Sequence, residues 1–353
     1  MAKIRILVAD GSVVIRRMLT NILAEDPTIE VVGTAPNGRI ALAKISLVNP
    51  DLILLDAEIS DLDGLETLTI IRKIYPRLPV IIFTAMTERG TAATLEALTL
   101  GANDYLTKPE KIGLEEVAAR YIRQELIPKI NLFHSYSLSN KTKLIGRSPQ
   151  QIEPISQLKN TNPIKIIAIG GSTGGPNALY ALLSEFPPDL KVPVLIVQHM
   201  PPVFTKRLAE RLAAKCQIRV DEAKNRELLE PGRVWIAPGD YHLLVQRDGT
   251  RVRLRTNQAP QENSCRPSVD VLFRSVASIY QSSVLAIVLT GMGQDGLHGC
   301  ESIRKVGGHI LVQDEASSVI WGMPGIVANA GLADRILPLD RIAREILRLV
   351  QNR

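Results

Sequence analysis

The sequence predicts an α/β protein built from two doubly wound domains, each with a parallel sheet covered by helices. Apolar runs alternate with amphipathic segments along both halves of the chain. Several runs are almost continuous, as in Asp51-Leu-Ile-Leu-Leu-Asp56, which is typical of strands that a parallel sheet buries on both faces. Between the halves, residues 127–162 are polar and proline-containing without an apolar face, which indicates a linker.

Length and composition favour a two-domain globular protein. The chain has 353 residues, of which 45% are hydrophobic and 22% are charged. The apolar run at Met1–Leu7 is too short for a signal peptide, and no uncharged run approaches the roughly 18 residues of a membrane span. We therefore expect a cytoplasmic protein without membrane insertion. Its three cysteines are widely spaced and are expected to be reduced thiols.

The charge pattern gives no indication of a nucleic-acid partner. The formal net charge is +6, the basic residues are scattered, and only 4% of residues are aromatic. A nucleic-acid interface would be expected to gather its basic residues on one face or stripe. We expect none here.

The first half predicts five strand–helix units in succession. The strands are expected at Lys3–Asp10, Val31–Ala35, Asp51–Asp56, Pro79–Ala85 and Asp104–Lys108. The helices between and after them are expected at Val13–Ala24, Gly38–Leu47, Leu65–Ile74, Thr91–Leu100 and about Gly113–Leu126.

Four polar residues fall at the ends of these strands, where a doubly wound fold places its ligands. They are Asp10, Asp56, Thr84 and Lys108. Two carboxylates, a hydroxyl and an ammonium at one sheet edge could hold a divalent metal ion and a phosphoryl group. A single strand-end carboxylate is more often a helix cap, but four such residues at matching positions favour a site.

This half resembles the receiver domains of response regulators, which have a flavodoxin-like fold. The resemblance covers residues 1–126 and rests on Asp56-Ala-Glu-Ile-Ser-Asp-Leu-Asp-Gly64, Thr84-Ala85 and Gly101-Ala-Asn-Asp-Tyr-Leu-Thr-Lys-Pro109. It implies that Asp56 is the phospho-acceptor, Thr84 the switch hydroxyl and Lys108 the lysine that contacts the phosphate. It also implies a Mg²⁺ site at Asp10 and Asp56.

The chain departs from the receiver pattern at Gly11, where the family places an acid that ligates magnesium directly. Glycine supplies no carboxylate, so we expect magnesium binding and phosphorylation at Asp56 to be weakened. Ile59-Ser60 also replaces the Met-Pro pair that usually follows the acceptor.

The second half, residues 163–353, begins with a strand at Ile164–Ile169 that runs into Gly170-Gly-Ser-Thr-Gly-Gly-Pro176. Such a turn could cradle a phosphate at a helix N-terminus, present Ser172 as a nucleophile within Gly-x-Ser-x-Gly, or be merely structural. Neither a P-loop nor a Gly-x-Gly-x-x-Gly dinucleotide fingerprint fits it.

Two further strand ends favour the nucleophile. The runs Val194–Val197 and Leu285–Leu289 are followed by His199 and Asp295, so these residues and Ser172 are expected at one edge of a sheet. A histidine can take the serine proton, and a carboxylate can orient the histidine. Taken singly, each has an ordinary structural explanation. His242 is expected in a loop near the site, His298 one helical turn after Asp295, and His309 at the start of a strand.

This half resembles the catalytic domain of chemotaxis protein-glutamate methylesterases, which has a Rossmann-like fold. The motifs are Gly170-Gly-Ser-Thr-Gly-Gly175, Val197-Gln-His-Met-Pro201, Trp235-Ile-Ala-Pro-Gly-Asp240, Arg266-Pro-Ser-Val-Asp-Val-Leu-Phe273, Leu289-Thr-Gly-Met-Gly-Gln-Asp-Gly296 and Trp321-Gly-Met-Pro324. The resemblance implies a triad of Ser172, His199 and Asp295, with Thr173 and Met292 near the oxyanion.

It also implies an enzyme of chemotactic adaptation that needs no cofactor for catalysis. Such an enzyme hydrolyses glutamyl methyl esters on the tails of methyl-accepting chemotaxis receptors, releases methanol, and deamidates receptor glutamines. The receiver would inhibit the esterase until a chemotaxis histidine kinase phosphorylates it.

Three other functions fit parts of the sequence. A non-catalytic adapter would use both domains only for binding. A general α/β-hydrolase would place its histidine last in the chain, which only His298 or His309 could satisfy. A dinucleotide-binding oxidoreductase would need the missing glycine fingerprint.

Overall fold

Two parallel sheets organise the chain in the computed structural model, one in each half. The structure describes residues 3–109, 115–143 and 162–351, with the backbone alone for residue 115 and residues 136–143. The chain divides into two compact units, Met1–Glu153 and Pro154–Arg353. Each unit is an α/β domain, as predicted.

The first unit contains a five-stranded parallel sheet with the order β2-β1-β3-β4-β5. Its strands are β1 (Ile4–Ala9), β2 (Ile29–Ala35), β3 (Leu52–Leu55), β4 (Val80–Thr84) and β5 (Asp104–Thr107). Its helices are α1 (Val13–Ala24), α2 (Gly38–Val48), α3 (Gly64–Ile74), α4 (Glu88–Thr99) and α5 (Glu115–Lys143). β3 and β4 are buried along their whole length because helices cover both faces of the sheet.

Helix α5 is longer than predicted and occupies the first part of the expected linker. The polar and proline-containing composition of residues 127–162 predicts an end of this helix near Leu126, whereas the helix continues to Lys143. Ile122, Leu126, Ile130 and Phe133 recur at helical spacing, and all four are buried. The packing of this stripe outweighs the hydrogen bond that Pro128 cannot make. The rest of the predicted linker, residues 144–161, lies outside the described residues.

The second unit contains a seven-stranded sheet in the order β14-β13-β12-β6-β7-β9-β8 and a separate β10–β11 hairpin, as far as its described residues show. The strands are β6 (Ile166–Gly171), β7 (Val194–Gln198), β8 (Arg219–Glu222), β9 (Arg233–Ile236), β10 (His242–Asp248), β11 (Arg251–Asn257), β12 (Val284–Val288), β13 (His309–Gln313) and β14 (Arg335–Leu337). The helices are α6 (Gly175–Leu183), α7 (Pro202–Lys215), α8 (Val269–Tyr280), α9 (Leu297–Lys305), α10 (Met323–Asn329) and α11 (Leu339–Gln351).

The chain reverses its direction across this sheet at β6. It passes from β6 to β7 on one side and later returns to β12 on the other. In doubly wound sheets, such a switch point opens a crevice at the carboxyl ends of the strands. Ser172, His199 and Asp295 lie in the connections that follow these three strands.

The described part of the chain contains no helix with the length and apolarity that crossing a membrane requires.

Candidate active site

Three adjacent strands bring the predicted catalytic residues to one edge of the second sheet. β12 pairs with β6 through Val288 and Gly170, and β6 pairs with β7 through Gly171 and Gln198. Ser172 directly follows β6, and the backbone N–H of His199 donates to the carbonyl of Gly171 at 3.1 Å. The backbones of the serine and histidine are therefore fixed side by side.

The turn after β6 is held by backbone hydrogen bonds on both sides of Ser172. The Ser172 N–H donates to the carbonyl of Thr290 at 3.0 Å. The Ser172 carbonyl accepts from the Gly175 N–H and from Gln198 Nε2, both at 2.8 Å. Ser172 is partly exposed, so its hydroxyl lies on a rigid turn within reach of solvent.

Glycines around this turn allow neighbouring elements to approach closely. A Cβ at Gly291 would lie 2.9 Å from Ser172 Cβ and 3.0 Å from its nitrogen, and a Cβ at Gly175 would lie 1.9 Å from Gln198 Oε1. Gly174 has a φ of +79°, which side chains rarely tolerate. The glycine-rich motif is thus required sterically at the site.

The His199 imidazole is paired with the buried Asp295 carboxylate. Nε2 of His199 lies 2.8 Å from Oδ2 of Asp295, and the two side chains are 13% and 2% exposed. Burial alone would lower the pKa of His199, but Asp295 and the neighbouring Cys265 outweigh burial and raise that pKa above its ordinary value. This is the orientation that a general base needs, with one ring nitrogen held by the carboxylate.

Asp295 is held in turn by the start of α8. Its Oδ2 accepts from the Val269 N–H at 2.6 Å, and its Oδ1 accepts from the Ser268 hydroxyl at 2.8 Å and the Asp270 N–H at 3.1 Å. A helix N-terminus favours negative charge. Burial alone would raise the pKa of Asp295, but His199 and these N–H donors hold it below the ordinary value.

Asp270, in the first turn of α8, binds the start of α9. Its Oδ1 accepts from the backbone N–H groups of Gly296 and Gly299, at 3.0 and 2.6 Å, at the start of α9. The start of α8 is therefore bound by Asp295, which lies just before α9, and the start of α9 is bound by Asp270 of α8. Burial and the nearby Asp295 charge raise the pKa of Asp270.

Cys265 lies against the second nitrogen of the His199 imidazole. Its Sγ is 3.6 Å from Nδ1 of His199. Cys265 is on a tight turn in which Asn263 and Ser264 both have positive φ, closed by hydrogen bonds between Glu262 and Cys265. The sequence analysis treated this residue as an ordinary reduced thiol.

The other histidines of this half have structural partners. His242 is buried, its Nε2 lies 3.0 Å from the Pro260 carbonyl, and its Nδ1 accepts from the Ser268 N–H. His298 is exposed and pairs with Glu301, and His309 lies 3.6 Å from Asp334. His199 is accordingly the histidine that pairs with Asp295, which argues against the α/β-hydrolase order.

Thr173 and Met292, the expected oxyanion residues, flank the nucleophile turn. Thr173 follows Ser172 and is buried, and its carbonyl accepts from the Thr290 hydroxyl at 2.9 Å. Met292 follows Gly291, which approaches Ser172 closely, and is 36% exposed.

In the first unit, the predicted phospho-acceptor pocket is closed by a lysine. Lys108 Nζ lies 2.7 Å from Asp10 Oδ2 and 2.9 Å from Asp56 Oδ2. Burial alone would lower the pKa of Lys108, but the two carboxylates raise it. Thr84 is buried at the end of β4, and its carbonyl accepts from the Lys108 N–H. The four predicted residues are thus brought to one sheet edge.

The pocket offers a poor donor set for a divalent cation. Both carboxylates are paired with Lys108, and Asp10 Oδ1 also accepts from the Ser12 N–H at 2.7 Å. Gly11 adds no ligand, and nothing lies within 4 Å of the position that its Cβ would occupy. These residues do not fit a strong Mg²⁺ site.

Two family patterns match the chain over most of its length. The pattern described as the response regulator receiver domain matches residues 6–119, and the pattern described as CheB methylesterase matches residues 167–346. A protein-glutamate methylesterase/protein-glutamine glutaminase from Trichodesmium erythraeum is 60% identical over 99% of this chain and 100% of that protein.

The chain belongs to the CheB methylesterase family.

Other CheB relatives are similar along their whole length. A protein of the same name from Nocardioides is 48% identical over 99% of this chain and 96% of that protein. The crystal structure of the Thermotoga maritima CheB methylesterase catalytic domain is 39% identical and has a TM-score of 0.52. The match covers 54% of this chain and 100% of the chain in that structure. The expected family and fold class are therefore confirmed.

Several residues that build this site were not predicted from the sequence. Ser268 and Asp270 lie inside the quoted Arg266–Phe273 motif but received no role, and Asn263 and Cys265 precede it. Asn263 Nδ2 donates to Asp295 Oδ1 at 3.0 Å and to Asp270 Oδ2 at 2.9 Å. The two polar residues of the motif were the available signal, whereas the contacts of Asn263 and Cys265 depend on a loop fold that no local pattern specifies.

Proposed function

We propose that this chain is a serine-dependent protein-glutamate methylesterase that acts in chemotactic adaptation under the control of its receiver domain. The reaction is hydrolysis of glutamyl methyl esters on chemoreceptor tails, with release of methanol. By the same route, the enzyme deamidates receptor glutamines with release of ammonia. The observation that carries the proposal is the 2.8 Å His199–Asp295 pair beside the rigid Ser172 turn.

In the proposed reaction, the Ser172 hydroxyl attacks the ester carbonyl while Nδ1 of His199 takes its proton. Asp295 keeps the other proton on Nε2 and stabilises the imidazolium that forms. The bond to the methoxy group then breaks, and His199 returns the proton to the departing methanol. Water cleaves the acyl-enzyme in the same way, with His199 again as the base.

The negative charge on the attacked oxygen needs donors beside Ser172. We propose that the backbone at Thr173 and Met292 provides them, because these residues flank the two glycine-rich turns that meet at the serine. The chemistry uses no cofactor.

Methanol release from a methylated receptor fragment tests the esterase. The full-length chain should release methanol, and Ser172→Ala should abolish the release. Ser184→Ala is the matched control, because Ser184 is exposed at the end of α6 and its hydroxyl bonds only a local carbonyl. Release that survives Ser172→Ala would exclude Ser172 as the nucleophile. A wild-type chain without any release would favour the non-catalytic adapter.

For the receiver, we propose that Asp56 accepts a phosphoryl group from a chemotaxis histidine kinase, with weakened dependence on Mg²⁺. Gly11 removes a metal ligand, while Lys108 already neutralises part of the charge of Asp10 and Asp56. Phosphotransfer from a kinase or acetyl phosphate should be slow, dependent on Asp56, and little affected by chelation. Transfer at ordinary rates with full Mg²⁺ dependence would contradict this account.

A further inference from the structure

The contact between Cys265 and His199 has the dimensions of a metal-binding pair. In a tetrahedral zinc site, Zn–S is about 2.3 Å and Zn–N about 2.05 Å, so the sulfur and nitrogen lie about 3.6 Å apart. The distance between Cys265 Sγ and His199 Nδ1 is 3.6 Å. The separation of the two atoms therefore matches that of two ligands of one zinc ion.

The other side of the imidazole is already arranged as it is around bound metals. A ligating histidine usually donates its second N–H to a carboxylate, which fixes the tautomer and strengthens the ligand. Here, His199 Nε2 lies 2.8 Å from Asp295 Oδ2, so Nδ1, which lies beside the sulfur, is the ring nitrogen that can bind a metal once it carries no proton. The ligand atoms of His199, Cys265 and Asp295 all lie within 4.8 Å of one another.

The electrostatic surroundings also favour a cation. Asp295 binds Nε2 of the imidazole, and Asn263 links Asp295 to a second carboxylate, Asp270. The nearest arginines in sequence are bound elsewhere: Arg266 pairs with Asp240, and Arg274 pairs with Glu262. His199 and Cys265 are both partly exposed.

The other two cysteines have different environments. Cys300 is completely buried, and burial raises the pKa of its thiol far above the ordinary range. Cys216 is partly buried at the end of α7, and burial raises its thiol pKa too. A thiol must lose its proton to bind a metal, so these two residues serve as internal comparisons for Cys265.

We propose that Cys265 Sγ and His199 Nδ1 form an inhibitory site for Zn²⁺. On binding, the thiol and a protonated Nδ1 of His199 each release their proton to solvent, the sulfur and Nδ1 each form a bond to zinc, and water completes the coordination. The Nδ1 lone pair is then no longer able to take the Ser172 proton, so the esterase stops. The inhibitory part of this inference rests on the proposed function, whereas the binding part does not.

Zinc affinity tests the binding part without reference to activity. The full-length wild type, Cys265→Ser and the control Cys216→Ser are titrated with Zn²⁺ against a chromophoric chelator. We expect Cys265→Ser to lose at least tenfold in affinity for one equivalent of zinc and Cys216→Ser to match the wild type. Equal affinity in the wild type and Cys265→Ser would overturn the proposal.

A second measurement uses the wild type alone, in case Cys265→Ser does not fold. Iodoacetamide labelling followed by mass spectrometry reports each thiol separately. Zn²⁺ should slow labelling of Cys265 at least tenfold and leave Cys216 unchanged. Cobalt in place of zinc should give a thiolate-to-metal absorption band. Equal labelling with and without zinc, or no such band, would count against the site.

Inhibition is measured last, with each variant normalised to its own methanol release in EDTA. Zinc should inhibit the wild type reversibly, and Cys265→Ser should need at least tenfold more zinc for half inhibition. If the wild type binds zinc at Cys265 but releases no methanol under any condition, the proposed function fails while the zinc site stands. If it releases methanol that saturating zinc does not reduce, the inhibitory role fails.

Discussion

Replacement of Asp295 by asparagine should disable the esterase by moving one proton. Four donors, from Asn263, Ser268, Asp270 and Gly296, face Oδ1, whereas Oδ2 faces only the Val269 N–H and His199 Nε2. The asparagine oxygen should therefore take the Oδ1 position and its NH₂ group the Oδ2 position. Its NH₂ group then donates to His199 Nε2, and the imidazole proton moves to Nδ1.

The expected loss has two parts. A proton on Nδ1 prevents His199 from accepting the Ser172 proton. In serine hydrolases with such a triad, this substitution costs roughly 10⁴-fold in kcat, or about 5 kcal/mol of transition-state stabilisation. The Val269 N–H, which is 2.6 Å from Oδ2, loses its charged acceptor, which should lower the free energy of unfolding by about 1.5–3 kcal/mol.

Two assays separate these parts. Methanol release gives kcat/KM, and urea unfolding followed by tryptophan fluorescence gives the stability of the second unit. Both tryptophans, Trp235 and Trp321, lie in that unit. Asp334→Asn is the control, because Asp334 is a partly buried carboxylate near the start of β13, where it bonds Arg304 and the Ile310 N–H.

The control should lose stability and keep its kcat/KM. Asp295→Asn should lose both. If Asp295→Asn keeps kcat/KM within tenfold of the wild type, Asp295 does not set the tautomer of His199, and the mechanism above is wrong.

Three further outcomes are expected. Because Asp295 raises the pKa of His199 and the neutral imidazole is the base, kcat/KM should increase with pH through a midpoint above 6.5. Asp295→Asn should bring the midpoint of its residual activity down towards 6.5. A pH-rate profile with the same midpoint in both proteins would argue against this. Gly291→Ala should displace Ser172, which should lower kcat/KM by about 100-fold and the free energy of unfolding by about 1–3 kcal/mol. Methanol release and urea unfolding measure these two effects. An unimpaired enzyme would show that the turn adjusts to the added methyl group. Gly11→Asp should strengthen Mg²⁺ binding, measured by calorimetry, because open space surrounds the new side chain; no change would reject the explanation for the weak site.

Much of the fold could be predicted from the sequence because strands that are buried on both faces are apolar throughout. The predicted strand Asp51–Asp56 corresponds to β3 at Leu52–Leu55, and Pro79–Ala85 corresponds to β4 at Val80–Thr84. The flanking polar residues mark where each strand leaves the core. The predicted end of helix α5 near Leu126 is too early, because the segment is polar and proline-containing in composition while its apolar spacing continues to Phe133.

The position of the site could be predicted because parallel strands end at a common edge. Its internal contacts could not, because they join residues far apart in the chain. Cys265 reaches His199 across 66 positions, and Asn263 reaches Asp295 across 32. These contacts depend on the turn at Asn263 and Ser264, which has positive φ at two non-glycine residues and no strong glycine signal in the sequence.

The strand order explains why the histidine precedes the aspartate in this chain. β6 lies between β7 and β12, so Ser172, which follows β6, has one neighbouring strand on each side. The chain visits the β7 side first and therefore supplies His199 before it supplies Asp295. The segment between β11 and α8 then completes the site. It contributes Cys265, Asn263 and Ser268, which contact His199 or Asp295. Variation in that segment can therefore change what faces Nδ1 of His199 without altering the sheet that positions His199.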